Sequence, residues 1–153
     1  MRSPVVKMCG ITSARDAPKS KRSISLSVAK EISKVARENG AQPVGVFVDD
    51  DAETIMRAAE VADLEFVQLH GGGSREALKQ LVQDTRIVYV LHANKDGELQ
   101  NQISDEESSL VDWILIDSAT GGRYYHLHSC NQLAISNTVI VDDFSKFFTK
   151  CFA

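Results

Sequence analysis

The chain has 153 residues, of which 43% are hydrophobic and 25% charged, and its formal net charge is -4 at pH 7. This composition describes about one globular domain, and a mildly acidic balance argues against nucleic acid, which is usually met by basic patches. No apolar stretch approaches the roughly 20 residues of a membrane span, and Met1-Arg2-Ser3-Pro4 opens without the apolar core of a signal peptide. As written, the chain is expected to be soluble and cytoplasmic. Three cysteines, Cys9, Cys130 and Cys151, are too few and too scattered for a disulfide framework and fit a reducing compartment.

Short apolar runs recur along the chain, each followed by a helical pattern. The first run is Val5-Val6-Lys7-Met8-Cys9. After it, a helix begins at Ser13 to Ala17 and is stopped by Pro18. Leu26, Ala29, Ile32, Val35 and Ala36 then keep helical spacing, with Ser25 as N-cap and Gly40 as stop. The second run is Val44 to Val48. Asp49-Asp50-Asp51 follows it, an acidic start that suits the helix carrying Ile55, Met56, Ala59 and Ala62. Phe66 to Leu69 is the third run, and Gly71-Gly72-Gly73-Ser74 turns from it into a helix with Leu78, Leu81 and Val82. Ile87 to Leu91 and Trp113 to Ile116 are the fourth and fifth, separated by the more polar spacer Lys95 to Leu110. The runs are β-branched and nearly continuous, as in strands buried on both faces. Strand-helix alternation of this kind predicts an α/β fold with a parallel sheet.

The runs finish at Cys9, Asp49, His70, His92 and Asp117, and parallel α/β folds assemble their sites at the carboxyl ends of strands. Each residue also has a plainer reading. Cys9 alone would be a small buried hydrophobe, Asp117 a turn former, Arg22 part of a solvated charge cluster, and His70 a hydrogen-bonded structural residue. The aspartate run is read as a helix start rather than a metal or phosphoacceptor site. His126, His128 and Cys130 have ligand-like spacing but no second pair nearby, so no metal site is expected. Gly71-Gly72-Gly73 lacks the spacing and lysine of a phosphate loop.

Five motifs in order carry a family resemblance. They are Lys7-Met8-Cys9-Gly10-Ile11-Thr12, Lys19-Ser20-Lys21-Arg22, Gly45-Val46-Phe47-Val48, Val67-Gln68-Leu69-His70-Gly71, and Leu115-Ile116-Asp117-Ser118 followed by Gly121-Gly122. Across residues 5 to 122 the chain resembles phosphoribosylanthranilate isomerases, most of all the plant versions. The resemblance implies a (β/α)₈ barrel and the Amadori rearrangement of N-(5′-phosphoribosyl)anthranilate in tryptophan biosynthesis, without cofactor or metal. It implies Asp117 as general acid, Cys9 as general base, Arg22 as the clamp for the anthranilate carboxylate, and His70 as a residue lining the site. A carboxyl group titrating near 3.9 and a thiol near 8.5 must both move toward neutrality for such work.

A complete barrel runs about 250 residues, so the expectation is an incomplete (β/α)₈ barrel with about five recognisable parallel strands and flanking helices. Aligned on the motifs, a helix and a strand are missing between Ala17 and Pro18. Residues 123–153 form a divergent, weakly structured tail in place of the last two strands and their phosphate-binding turns. Within that tail Thr138 to Val141 is a candidate strand and Asp142 to Phe152 a candidate short helix. The isomerase reading has an alternative in an inactive truncated isoform or partner-binding fragment of the same barrel. A receiver-like signalling domain fits the size, but it needs acids at the end of its first strand, where Cys9-Gly10 stands. A plant relationship makes the plastid the destination if a transit peptide precedes Met1.

Overall fold

The computed structural model describes residues 24–94, 96–118 and 139–142. Helix α1 (Leu26–Glu38) precedes β1 (Val44–Phe47), α2 (Ala52–Ala62) and β2 (Phe66–Leu69); the short helices α3 (Gly72–Glu76) and α4 (Leu78–Leu81) lead to β3 (Arg86–Ala93), followed by α5 (Asp105–Ser108), β4 (Trp113–Ser118) and β5 (Val139–Asp142). The five strands form one sheet in chain order, and each neighbouring pair is parallel. Among the described residues β1 and β5 are not paired, so the sheet is a barrel segment rather than a closed barrel.

Local chemistry explains the helix boundaries. Ser25 Oγ accepts from the Val28 N–H and opens α1, and Gly40 follows its end at φ +71°. Asp51 Oδ1 accepts from the Thr54 N–H at 2.8 Å and opens α2, so one member of the aspartate run is a helix cap. At α5, Ser104 and Glu107 each cap the other's backbone N–H in a capping box. One expectation for α1 fails: Val35 is 57% exposed. It stands six residues beyond buried Ala29, about 120° around the helix, and so leaves the packed face.

The strands match the apolar runs with shifts of one or two residues at their ends. β3 extends to Ala93 because its carboxyl end pairs with both β4 and Leu99 of the following loop. The tail contributes β5, parallel to β4, with Asp142 in register with Asp117; Asp142 therefore ends a strand rather than starting a helix. The run Val5 to Cys9, the loop Lys19 to Arg22 and the rest of the helix expected up to Phe152 lie outside the described residues.

The helices cover one face of the sheet. Phe47, Val67, Leu69, Ile87, Tyr89, Leu91, Ile114 and Ile116 pack there with Ile55, Ala59, Leu78 and Leu81. Many of these side chains are fully buried, each stabilising the fold by roughly 1.5–3 kcal/mol relative to exposure. Phe66, Val88, Val90 and Leu115 form a separate cluster with Val44 and Trp113 on the opposite face.

The turn after β2 is pressed against the end of β1. Ser74 donates from Oγ to the Phe47 carbonyl at 2.9 Å and from its N–H to the Val48 carbonyl at 3.1 Å. A Cβ on Gly71 would overlap the Val48 carbonyl oxygen and crowd Val48 Cγ1. That oxygen belongs to backbone held by hydrogen bonds and cannot step aside cheaply. Gly71→Ala is therefore expected to destabilise the chain by about 1–3 kcal/mol, the usual cost of overpacking, read as a lowered urea midpoint at unchanged slope.

Candidate active site

The chemistry-bearing side chains stand on the face opposite the helices. On β2, β3 and β4 that face carries Phe66, Val88 and Val90, and Trp113 and Leu115. Two-residue alternation extends it to Gln68, His70, His92 and Asp117 at the carboxyl ends. His92 and Asp117 are direct partners across the β3–β4 ladder, and His70 directly follows β2. Three groups far apart in sequence thus meet because three adjacent parallel strands end together.

Asp117 is 6% exposed. Its Oδ2 lies 3.6 Å from His70 Nε2 and 3.5 Å from His92 Nδ1. The two imidazoles meet edge to face, with centroids 4.8 Å apart. Their backbones are anchored. The His70 N–H donates to Phe47 O at 2.8 Å, while its carbonyl accepts from Arg75 Nη1 and from His92 Nε2, both at 2.7 Å. The His92 N–H donates to Asn101 Oδ1 at 2.6 Å, Asn101 Nδ2 donates to Val90 O at 2.9 Å, and the Gln100 N–H donates to His92 O at 2.7 Å. The loop after β3 therefore folds back and clamps the strand end that carries His92.

Gln68 Nε2 lies 3.5 Å from His70 Nδ1. The side chain is fully buried, and its Oε1 has no hydrogen-bond partner among the described residues. The Asp117 carboxylate holds the His92 pKa above the ordinary histidine value. The His70 carbonyl adds to this, while partial burial and the Arg75 charge oppose it. Burial also pushes the Asp50 carboxyl up, against backbone hydrogen bonds from Val48 and Asp50 itself. A buried carboxylate held between two imidazoles can exchange a proton between nitrogen and oxygen over a short distance.

Of the residues singled out from sequence, His70 and Asp117 come together; Cys9 and Arg22 lie outside the described residues. Sequence reasoning placed His92 at a strand end without giving it a role, and gave Gln68 none. The signal was present in the two-residue step from Gln68 to His70 and in the strand end at His92, but only the register aligns His92 with Asp117. At the opposite end of the strands a crevice is lined by Glu65, Arg86 and Asp112. Among its charges Arg86 pairs with Glu65 and Asp112, and neighbouring Arg37 pairs with Asp63 and Glu65, which is a structural arrangement.

Parallel strands in chain order, helices on one face and polar groups at the carboxyl ends define an α/β protein of the (β/α)₈-barrel class. A solved phosphoribosyl anthranilate isomerase from Thermus thermophilus agrees at the level of fold: TM-score 0.61 at 24% identity, covering 81% of this chain and 60% of that one. Residues 5–134 match the family described as N-(5'-phosphoribosyl)anthranilate (PRA) isomerase, a match that runs beyond Gly122 into the tail. N-(5'-phosphoribosyl)anthranilate isomerase 3, chloroplastic, of Arabidopsis thaliana is 60% identical over 137 residues, 79% of this chain and 56% of that protein. Isomerase 1, chloroplastic, of the same plant is 62% identical over 135 residues, 78% of this chain and 49% of that protein. The chain belongs to the phosphoribosylanthranilate isomerase family and spans about half the length of the curated relatives it matches. Among the described residues no helix is long and apolar enough to cross a membrane.

The raised His92 pKa has a consequence for stability. A histidine whose folded pKa lies above its unfolded value, about 6.5, contributes stability that is complete below that value and lost as pH rises through the folded one. The urea midpoint is thus expected to fall as pH is raised from about 6 upward. His92→Gln should remove that part of the dependence; an identical pH profile in the variant would contradict the pairing with Asp117.

Proposed function

We propose that this chain carries the catalytic half-site of a phosphoribosylanthranilate isomerase, and that its reaction is the Amadori rearrangement of N-(5′-phosphoribosyl)anthranilate to the 1-deoxyribulose 5-phosphate ketose. The observation that supports it most directly is the nearly buried Asp117 carboxylate at the carboxyl end of β4, within 3.6 Å of His70 and His92. Asp117 is the proposed general acid. Moving the proton shared with His92 from Nδ1 to Oδ2 leaves a neutral imidazole and a carboxylic acid able to protonate the furanose ring oxygen. Ring opening then gives an iminium at C1′. Cys9 as thiolate takes the proton from C2′, and the resulting enol tautomerises to the ketone. No external electron acceptor is required, because the aldose carbon is reduced as its neighbour is oxidised.

Arg22 is the proposed partner of the anthranilate carboxylate, a role its forked guanidinium suits. His70 lines the site and, with His92, keeps the Asp117 carboxyl in place. The substrate class is small-molecule, and the plastid is the compartment this reading favours, since the Arabidopsis relatives are named chloroplastic. The alternative is an inactive or partner-binding piece of the same barrel.

Conversion of phosphoribosylanthranilate by the purified chain, followed by anthranilate fluorescence, separates the two. Turnover that falls by at least about 10²-fold in both Cys9→Ala and Asp117→Asn is expected. A folded chain without turnover would leave the family membership standing and overturn the activity.

A further inference from the structure

The His70, His92 and Asp117 cluster has the donor set and spacing of a metal site, which the acid-base reading does not require. We propose that it binds one zinc ion through His70 Nε2, His92 Nδ1 and Asp117 Oδ2, leaving a fourth position open to water or a small ligand. The inference does not rest on the isomerase reading.

The three ligand atoms lie within 4.8 Å of one another. Zinc with bonds of about 2.0–2.1 Å in tetrahedral geometry holds its ligand atoms roughly 3.3–3.5 Å apart. Two of the three separations, 3.5 and 3.6 Å, are already close to that, and modest rotation of the rings closes the third. The ligands sit on the ends of adjacent strands, so the backbone need not move.

Groups behind the ligands also match a metal site. Metal-binding histidines usually donate their other ring N–H to a carbonyl or amide oxygen. His92 does so from Nε2 to His70 O at 2.7 Å, which leaves its Nδ1 lone pair facing Asp117. For His70 the matching group is Gln68. Its amide lies 3.5 Å from His70 Nδ1 and, in the opposite orientation, presents its oxygen to the Nδ1 proton.

Two imidazoles and one carboxylate suit zinc and its first-row neighbours, whereas magnesium and calcium prefer oxygen. Both rings keep an open edge, with side-chain exposures of 23% and 25%, so an ion has a way in. The Arg75 guanidinium on the His70 carbonyl opposes a dication and makes this a reversible site rather than a structural one.

The test is titration of the purified full chain with Co2+ alone, at about pH 7.5, since protons compete less well with the metal for imidazole nitrogens as pH rises. One equivalent is expected, with visible d–d bands, no thiolate-to-cobalt charge-transfer band, and displacement by Zn2+. His70→Gln and His92→Gln, each folded by circular dichroism, should weaken binding more than about tenfold. Should either variant fail to fold, histidine ring nitrogen shifts in the unaltered chain on adding Zn2+ answer the same question: movement at His70 and His92 supports the site, and movement only at His126 and His128 overturns it. A strong thiolate band, binding lost in Cys130→Ser but kept in both histidine variants, or no binding to the folded chain would each overturn the proposal. None of these readouts involves turnover, so failure here leaves the isomerase reading untouched.

Discussion

Everything in the candidate site depends on parallel strand pairing with matched carboxyl ends. Side chains alternate between the faces of a strand, so a slip of one residue in β3 against β4 would send His92 to the helix side. The His92–Asp117 pairing is protected because the same register buries Ile87, Tyr89 and Leu91 among the helices and Val88 and Val90 opposite them. Apolar burial, not the polar contacts, supplies the energy that fixes the register. The imidazoles and the carboxylate are carried to their places by it.

The strand ends are then locked by backbone hydrogen bonds. Gly71 lets the turn after β2 lie against Val48, and Ser74 ties α3 to the end of β1. Asn101 spans Val90 and His92 as an extra strand would. The His70 carbonyl gathers Arg75 and His92. Groups rigidly held in this way lose little freedom when they act, which is how a site at strand ends achieves preorganisation. Polar side chains placed in this low-exposure corner also interact more strongly than they would in water.

The same geometry serves both proton transfer and metal binding because both need electron pairs aimed at one point. A proton held between Asp117 and His92 and an ion held by His70, His92 and Asp117 compete for the same lone pairs.

The strands between Val44 and Ser118, the cap at Ser25 and the acidic helix start at Asp49 to Asp51 were legible in the chain. They rest on local chemistry: β-branched runs and short polar residues at helix starts. His70 and Asp117 were legible as strand-end residues and through the family motifs around them. Val35 was misread because spacing alone does not say which arc of a helix is covered. His92 and Gln68 became site residues only with the register of β2, β3 and β4, and β5 joined the sheet only through pairing with β4. Sequence by itself determined the elements and the family, because those depend on near neighbours and motifs. Which side chains share a face and a distance was decided by tertiary structure, because parallel pairing relates residues twenty or more positions apart.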